Sequence, residues 1–115
     1  MKDSENIIVK VTFEFALGII EYCEILELNR KFIIANQLLK LGTSIGANVR
    51  EAQNAESKND FIHKFKIAAK EVEETIYWLD LCTMSKNYPD GSNLKYQIQT
   101  ISKIINKIII TSKNK

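Results

Sequence analysis

The chain has 115 residues, of which 45% are hydrophobic and 26% are charged. This composition excludes a disordered protein, and the length fits one globular domain around a single hydrophobic core. One histidine and two cysteines leave few candidate metal ligands and few candidate catalytic bases.

The formal net charge of +2 is unevenly distributed along the chain. Residues 1–85 carry ten basic and thirteen acidic side chains, a net charge of −3, whereas residues 86–115 carry six lysines and one aspartate, a net charge of +5. Two interpretations stay open. The lysines form either a solvated helix face or an electrostatic patch that attracts a polyanion.

The sequence shows no targeting segment or membrane span. Residues 1–6 are polar and are not followed by the uncharged apolar run of a signal peptide. Charged residues interrupt every longer apolar stretch, so we expect a cytoplasmic protein that does not enter a membrane.

The first predicted helix covers residues 5–28. Its apolar residues form two stripes at helical spacing. The first stripe holds Phe13, Ala16, Ile20 and Cys23, and the second holds Phe15, Ile19, Tyr22 and Leu26. We therefore expect this helix to be covered on more than one side.

The second predicted helix covers residues 32–55. One apolar residue recurs every three or four positions, which defines a single buried face. The positions are Ile34, Leu38, Leu41, Ile45, Val49 and Ala52. Gly42 and Gly46 interrupt this pattern, and each costs about 1 kcal/mol of helix propensity relative to alanine. They either permit close approach of a neighbouring helix or mark a kink.

The third predicted helix covers residues 58–86, after a serine cap at Ser57. Apolar or small residues then alternate steps of four and three, which is typical of a heptad seam. They are Phe61, Phe65, Ala68, Val72, Thr75, Leu79 and Cys82. Pro89, Asp90 and Gly91 supply turn chemistry after the helix.

The third helix also has apolar residues outside the heptad seam. At 100° per residue they point away from it, and a helix that is apolar on both sides needs cover on both. They are Ile67, Tyr77, Trp78 and Leu81. We predict that they form a homo-oligomer interface, although one bundle wrapped deeply around this helix would also bury them.

The fourth predicted helix covers residues 92–112. Leu94, Ile98, Ile101, Ile105 and Ile108 form its apolar stripe, and the opposite face is polar and basic. The basic residues on that face are Lys95, Lys103 and Lys107, and Tyr96 lies on the same face. They are the candidates for the electrostatic patch that attracts a polyanion.

Four amphipathic segments with short connections predict an all-α, antiparallel up-down-up-down four-helix bundle of one domain, residues 1–115. A di-iron site is not expected, because the chain has one histidine, His63, and no Glu-x-x-His motif. We expect no metal, no cofactor and no catalytic residue.

Residues 37–82 also carry a family resemblance. The matching pieces are Ser44-Ile45-Gly46-Ala47-Asn48-Val49, Glu51-Ala52, Ser57-Lys58, Asp60-Phe61, Lys70-Glu71, Glu74-Thr75 and Tyr77-Trp78-Leu79. This pattern resembles the bacterial four-helix-bundle proteins encoded in intervening sequences of 23S ribosomal RNA genes, the S23-type ribosomal proteins. It is also similar to the accessory proteins of diversity-generating retroelements.

The resemblance implies a ring-like homo-oligomer, a pentamer in related proteins, with a genomic link to ribosomal RNA. The retroelement accessory proteins imply binding of RNA or DNA through basic surfaces. In this sequence, Lys95, Lys103 and Lys107 would then be the candidate phosphate ligands, with Tyr96 available for stacking on a base. The family motif residues Ser44, Asn48, Glu51, Glu71 and Glu74 form either a polar network between helices or a ligand site. The alternative to a nucleic-acid partner is a protein-interaction or scaffolding module.

Overall fold

The computed structural model describes residues 6–115, which form four α-helices: α1 (Ile7–Leu28), α2 (Phe32–Gln53), α3 (Lys58–Met84) and α4 (Ser92–Lys113). The predicted start of the first helix, residue 5, lies outside the described residues. The remaining predicted bounds lie within two residues of those observed.

The helices pack as a bundle in which each contacts its neighbour in the chain and α4 returns to α1. Short connections between long helices make successive helices antiparallel. The bundle measures 47 × 22 × 20 Å, and residues 6–115 contain no β-strand. The all-α four-helix-bundle prediction is confirmed.

The core takes one face from each helix. The largest fully buried side chains are Phe15, Ile19, Leu26, Leu38, Ile45, Val49, Phe65, Val72, Leu79, Ile98, Ile101 and Ile105. Burying one such side chain contributes about 1.5–3 kcal/mol, so this shared core provides the main stabilisation of the bundle.

The two glycines of α2 allow α1 to approach closely. A Cβ added at Gly42 would lie 2.8 Å from Ile19 Cγ1, and one at Gly46 would lie 3.4 Å from the carbonyl oxygen of Thr12. The helix continues through both positions. The structure thus favours close approach over a kink as the reason for these glycines.

The start of α3 is capped as the sequence predicts. The Ser57 hydroxyl accepts a hydrogen bond from the Asp60 N–H at 3.0 Å, and the Asp60 carboxylate accepts one from the Glu56 N–H at 3.2 Å. The first contact satisfies one of the N–H donors that the first turn of the helix leaves without a partner, and the second fixes the residue before the cap.

Antiparallel packing gives the bundle two ends. One end, which we call the closed end, contains the end of α1, the start of α2, the end of α3 and the start of α4. The other, which we call the open end, contains the start of α1, the end of α2, the start of α3 and the end of α4.

None of the four described helices combines the length and the apolar character that a membrane span requires.

Candidate nucleic-acid interface

Three of the predicted nucleic-acid ligands lie on the outer face of α4. Tyr96, Lys103 and Lys107 are exposed, Tyr96 to 71%. At 1.5 Å per residue, the stripe from Tyr96 to Lys107 is about 17 Å long. It presents one aromatic ring and two ammonium groups along a single line, with the lysines towards the open end.

Lys95 lies apart from these three residues. Its ammonium group pairs with the Asp80 carboxylate of α3 at 2.7 Å, and about a third of its side chain is exposed. A lysine held by a carboxylate is less available to a phosphate than a free one. The structure therefore removes Lys95 from the stripe that the sequence predicted.

The tertiary structure redistributes charge along the bundle axis. We divide the described residues at the helix midpoints into an open half, residues 6–17, 43–70 and 103–115, and a closed half, residues 18–42 and 71–102. The open half carries ten basic and four acidic side chains, a net charge of +6. The closed half carries five basic and eight acidic side chains, a net charge of −3. The basic patch is therefore one end of the bundle.

Sequence reasoning missed the basic residues that α2 and α3 add to this end. They are Arg50, Lys58, Lys64, Lys66 and Lys70. The alternating helix directions could have predicted this grouping, because the start of α3 and the end of α4 must lie side by side in an antiparallel bundle. Lys64 is partly engaged, since its ammonium group lies 3.5 Å from the Glu51 carboxylate.

The predicted oligomer interface on α3 is only partly exposed. Tyr77 and Leu81 face solvent, whereas Ile67 and Trp78 are half-buried, and Trp78 packs against the core. Tyr77 lies edge-on to Trp78, with 5.8 Å between ring centroids. The outer face of α3 therefore presents Tyr77 and Leu81.

A second apolar surface lies between α1 and α2. Phe13, Leu17 and Ile20 are each 41–49% exposed, and the Arg50 guanidinium lies 5.1 Å from the centroid of the Phe13 ring. We call this surface the α1–α2 groove. The helix α1 packs against both α2 and α4. The first apolar stripe of α1 is only partly covered within the described residues, since Cys23 is buried whereas Phe13 and Ile20 are exposed.

The family motif residues form a hydrogen-bonded seam between α2 and α3. The Asn48 amide donates to the Glu71 carboxylate at 2.8 Å and to the Ser44 carbonyl at 3.2 Å. Burial raises the pKa of Glu71 above its ordinary value, although the Asn48 hydrogen bond acts in the opposite direction. Glu74 is exposed and Glu51 pairs with Lys64. This arrangement favours the structural interpretation of the motif.

The histidine and the two cysteines of the chain are the side chains that a metal site or a nucleophilic site would need first. No group of three metal-ligating side chains occurs within residues 6–115, and His63 is exposed on α3. The cysteines, Cys23 and Cys82, are free and buried. Burial raises the pKa of the Cys23 thiol to about 11, which keeps it protonated and unreactive at neutral pH.

Together, these features define an all-helical bundle with one basic end, a polar seam, and exposed apolar residues in the α1–α2 groove and on α3. The sequence matches the 23S rRNA-intervening sequence protein family over residues 4–107. The chain belongs to this family, as the resemblance of residues 37–82 predicted.

A solved structure is similar to this chain in both fold and sequence. It is the 1.70 Å crystal structure of a protein with unknown function from the S23 ribosomal protein family of Bacteroides thetaiotaomicron. The two chains are 37% identical with a TM-score of 0.85, over 90% of this chain and 98% of the other. No curated protein matches the sequence. The descriptions of the family and of the solved structure indicate no enzymatic domain, and the similarity to retroelement accessory proteins stays a prediction.

Proposed function

We propose that this protein is a non-catalytic homo-oligomer that binds RNA or DNA through the open end of its bundle. The observation that supports this proposal is the net charge of +6 on the open half against −3 on the closed half. Phosphate contacts supply most of the sequence-independent affinity of nucleic-acid-binding proteins. Lys103 and Lys107 are exposed and are the leading phosphate ligands, and Tyr96 offers a stacking surface beside them.

In the proposed oligomer, the α1–α2 groove of one copy contacts the Tyr77–Leu81 face of the next. The groove includes α1, which does not pack against α3, so these are separate surfaces of the bundle. Contact between unlike surfaces of two copies is head-to-tail, and such contacts close into rings when the rotation allows. A ring would repeat the basic end several times on one assembly and increase its affinity for a single strand through avidity.

Nucleic-acid binding is tested by fluorescence anisotropy of a labelled structured RNA at about 50 and 200 mM salt. We expect the affinity of the wild-type protein to fall by orders of magnitude between the two concentrations. The Lys103→Gln/Lys107→Gln variant should bind more weakly and with a shallower salt dependence, by about one unit of slope per lost phosphate contact.

The matched control is Lys40→Gln/Lys86→Gln, which removes two exposed lysines from the closed half. It lowers the net charge by the same amount, so it separates an effect of position from an effect of total charge. Equal loss of affinity in both variants would overturn the open end as the binding surface. The absence of binding by the wild-type protein at the lower salt concentration would overturn the nucleic-acid proposal.

Self-association is tested by light scattering, which should give a mass several times the 13.2 kDa of one chain. Leu17→Glu in the α1–α2 groove and Tyr77→Glu on α3 should each reduce that mass, because each places a charge in an apolar contact. Ile110→Glu is the control, since Ile110 is 61% exposed but lies at the open end. A wild-type monomer at micromolar concentration would contradict the proposed ring.

The alternative proposal is a scaffolding module that binds another protein. The observation that favours it is the α1–α2 groove, because an apolar groove between helices can receive an amphipathic helix of a partner. A partner recovered from nuclease-treated lysate should then be lost with Leu17→Glu and retained with Lys103→Gln/Lys107→Gln. The reverse pattern would favour nucleic-acid binding.

A further inference from the structure

A cleft of about 490 Å³ opens at the basic end of the bundle, where all four helices contribute to its walls. Its size falls within the range of about 300–1,000 Å³ typical of small-ligand sites. The floor is apolar and includes Phe61, Phe65 and Ile108. The rim is polar and includes Lys107 and Lys115.

The floor of the cleft offers an aromatic ring that is already positioned. Phe65 is 1% exposed and belongs to the core, whereas Phe61 is half-buried and remains partly accessible. The two rings are tilted against each other with 4.9 Å between centroids, which holds Phe61 in place. A planar ligand that enters the cleft can therefore pack on Phe61 without ordering a mobile side chain.

The cleft also contains a pair of oriented amides. The Asn6 Nδ2 donates to the Gln53 Oε1 at 2.7 Å, and the Gln53 Nε2 donates to the Val49 carbonyl at 3.0 Å. Asn6 is 8% exposed. Among residues 6–115, its Oδ1 and its second amide hydrogen make no hydrogen bond.

The charge at the rim is complementary to a phosphate. Lys107 lines the cleft, and Lys103 precedes it by one helical turn on the exposed face of α4. Lys58 lies nearby, but its ammonium group already donates to a backbone oxygen of Lys115. The cleft thus combines an aromatic surface, free amide groups and ammonium groups within one opening.

We propose that this cleft binds one unpaired nucleobase, with the phosphate of the same nucleotide held by Lys107. Proteins recognise single-stranded nucleic acids by stacking bases on aromatic rings and by hydrogen bonding to base edges with polar side chains. An aliphatic anion would use the apolar floor and the lysines but would leave the amide groups without partners. This inference rests on the proposed function, because the nucleobase belongs to the bound strand.

The test compares a labelled single-stranded RNA of roughly ten nucleotides with a duplex of the same sequence, at low salt. The wild-type protein should prefer the single strand. Phe61→Leu keeps an apolar side chain but removes the ring, and it should weaken single-strand binding at least about fivefold while leaving duplex binding unchanged. Phe61→Tyr should restore single-strand affinity, because it restores the ring.

Phe32→Leu is the control, because Phe32 is 52% exposed at the closed end. Thermal unfolding of each variant checks that it remains folded. An abasic strand of equal length should bind the wild-type protein no better than the normal strand binds Phe61→Leu.

The outcomes separate the two proposals. If the wild-type protein binds single strand and duplex equally and Phe61→Leu has no effect, the cleft proposal is overturned and the basic end is retained. If an abasic strand binds as tightly as the normal strand, the cleft proposal is also overturned. If the wild-type protein binds neither form at low salt, both proposals are overturned.

Discussion

At the closed end of the bundle, the Tyr22 hydroxyl donates to the Pro89 carbonyl at 2.8 Å, and Gly91 packs against the same ring. The Lys31 ammonium group lies 4.9 Å from the centroid of the Tyr88 ring beside it. At the open end, the Asn6–Gln53 contact joins α1 to α2, and the cleft remains between the helices.

The two ends also differ in charge, since the half with the cleft is the basic one. Packing at the closed end ties the connections between helices together, so that end contributes mainly to the fold. The open end combines accessible volume with positive charge, which is the combination that a polyanionic ligand requires.

The largest expected effect is loss of stability when the core beneath the cleft is removed. Phe65→Ala should lower the free energy of unfolding by about 3–5 kcal/mol, because it leaves a cavity under an already open site. Leu26→Ala, at the closed end, should cost about 2–5 kcal/mol. Urea denaturation at one fixed protein concentration measures both. A loss below about 1 kcal/mol for Phe65→Ala would mean that the open end lacks a packed floor.

The second effect is on binding, when two lysines of one end are replaced by glutamate. Lys103→Glu/Lys107→Glu should weaken RNA binding by about tenfold or more at 50 mM salt, because it removes two phosphate contacts and adds two repulsive charges. Lys40→Glu/Lys86→Glu changes net charge equally but in the closed half, and should have a much smaller effect. Anisotropy titrations measure both affinities. A larger loss of affinity in Lys40→Glu/Lys86→Glu would mean that the closed end, and not the open end, binds RNA.

The third effect concerns the hydrogen bond at the closed end. Tyr22→Phe removes the donor to Pro89 and should cost about 0.5–1.5 kcal/mol of stability. Amide hydrogen exchange should accelerate around the connection between α3 and α4 and remain unchanged at the open end. Uniform acceleration along the chain would show that this contact stabilises the whole bundle and is not local to one end.

The smallest effect is the pH dependence contributed by Glu71, at the boundary between the halves. Because its pKa is raised by burial above the ordinary 4.5, the folded protein binds this proton more tightly than the unfolded chain does. Its ionisation therefore destabilises the fold above the folded pKa, and that penalty disappears as pH falls below about 4.5.

Glu71→Gln keeps an acceptor for Asn48 and removes the charge. It should be slightly more stable than wild type at pH 7, with the difference shrinking as pH falls towards 4.5. Thermal unfolding across this range measures the difference. A stability gap that stays constant with pH would mean that Glu71 does not titrate with a raised pKa.

Much of the fold was predictable from local pattern. The apolar steps of three and four located each helix, since one face of each had to be buried. The Ser57 cap and the Pro89–Gly91 turn marked boundaries because their chemistry acts within a few residues. The family was predictable from the order and spacing of short motifs in residues 37–82.

Other features depended on how the helices pack. Sequence placed Lys95 with Lys103 and Lys107, but its contact with Asp80 depends on which side of α4 meets α3. Sequence also expected both apolar stripes of α1 to be covered, yet Phe13 and Ile20 of the first stripe are exposed. Periodicity identifies an apolar face but does not specify its partner.

The sequence alone therefore determined the helices, their buried faces and the family, because these depend on residues near one another in the chain. Only the tertiary structure decided that residues from α2, α3 and α4 form one basic end, and that a cleft opens within it. Alternating helix directions bring residues 43–70 beside residues 103–115. A charge count along the chain separates these segments, whereas packing joins them.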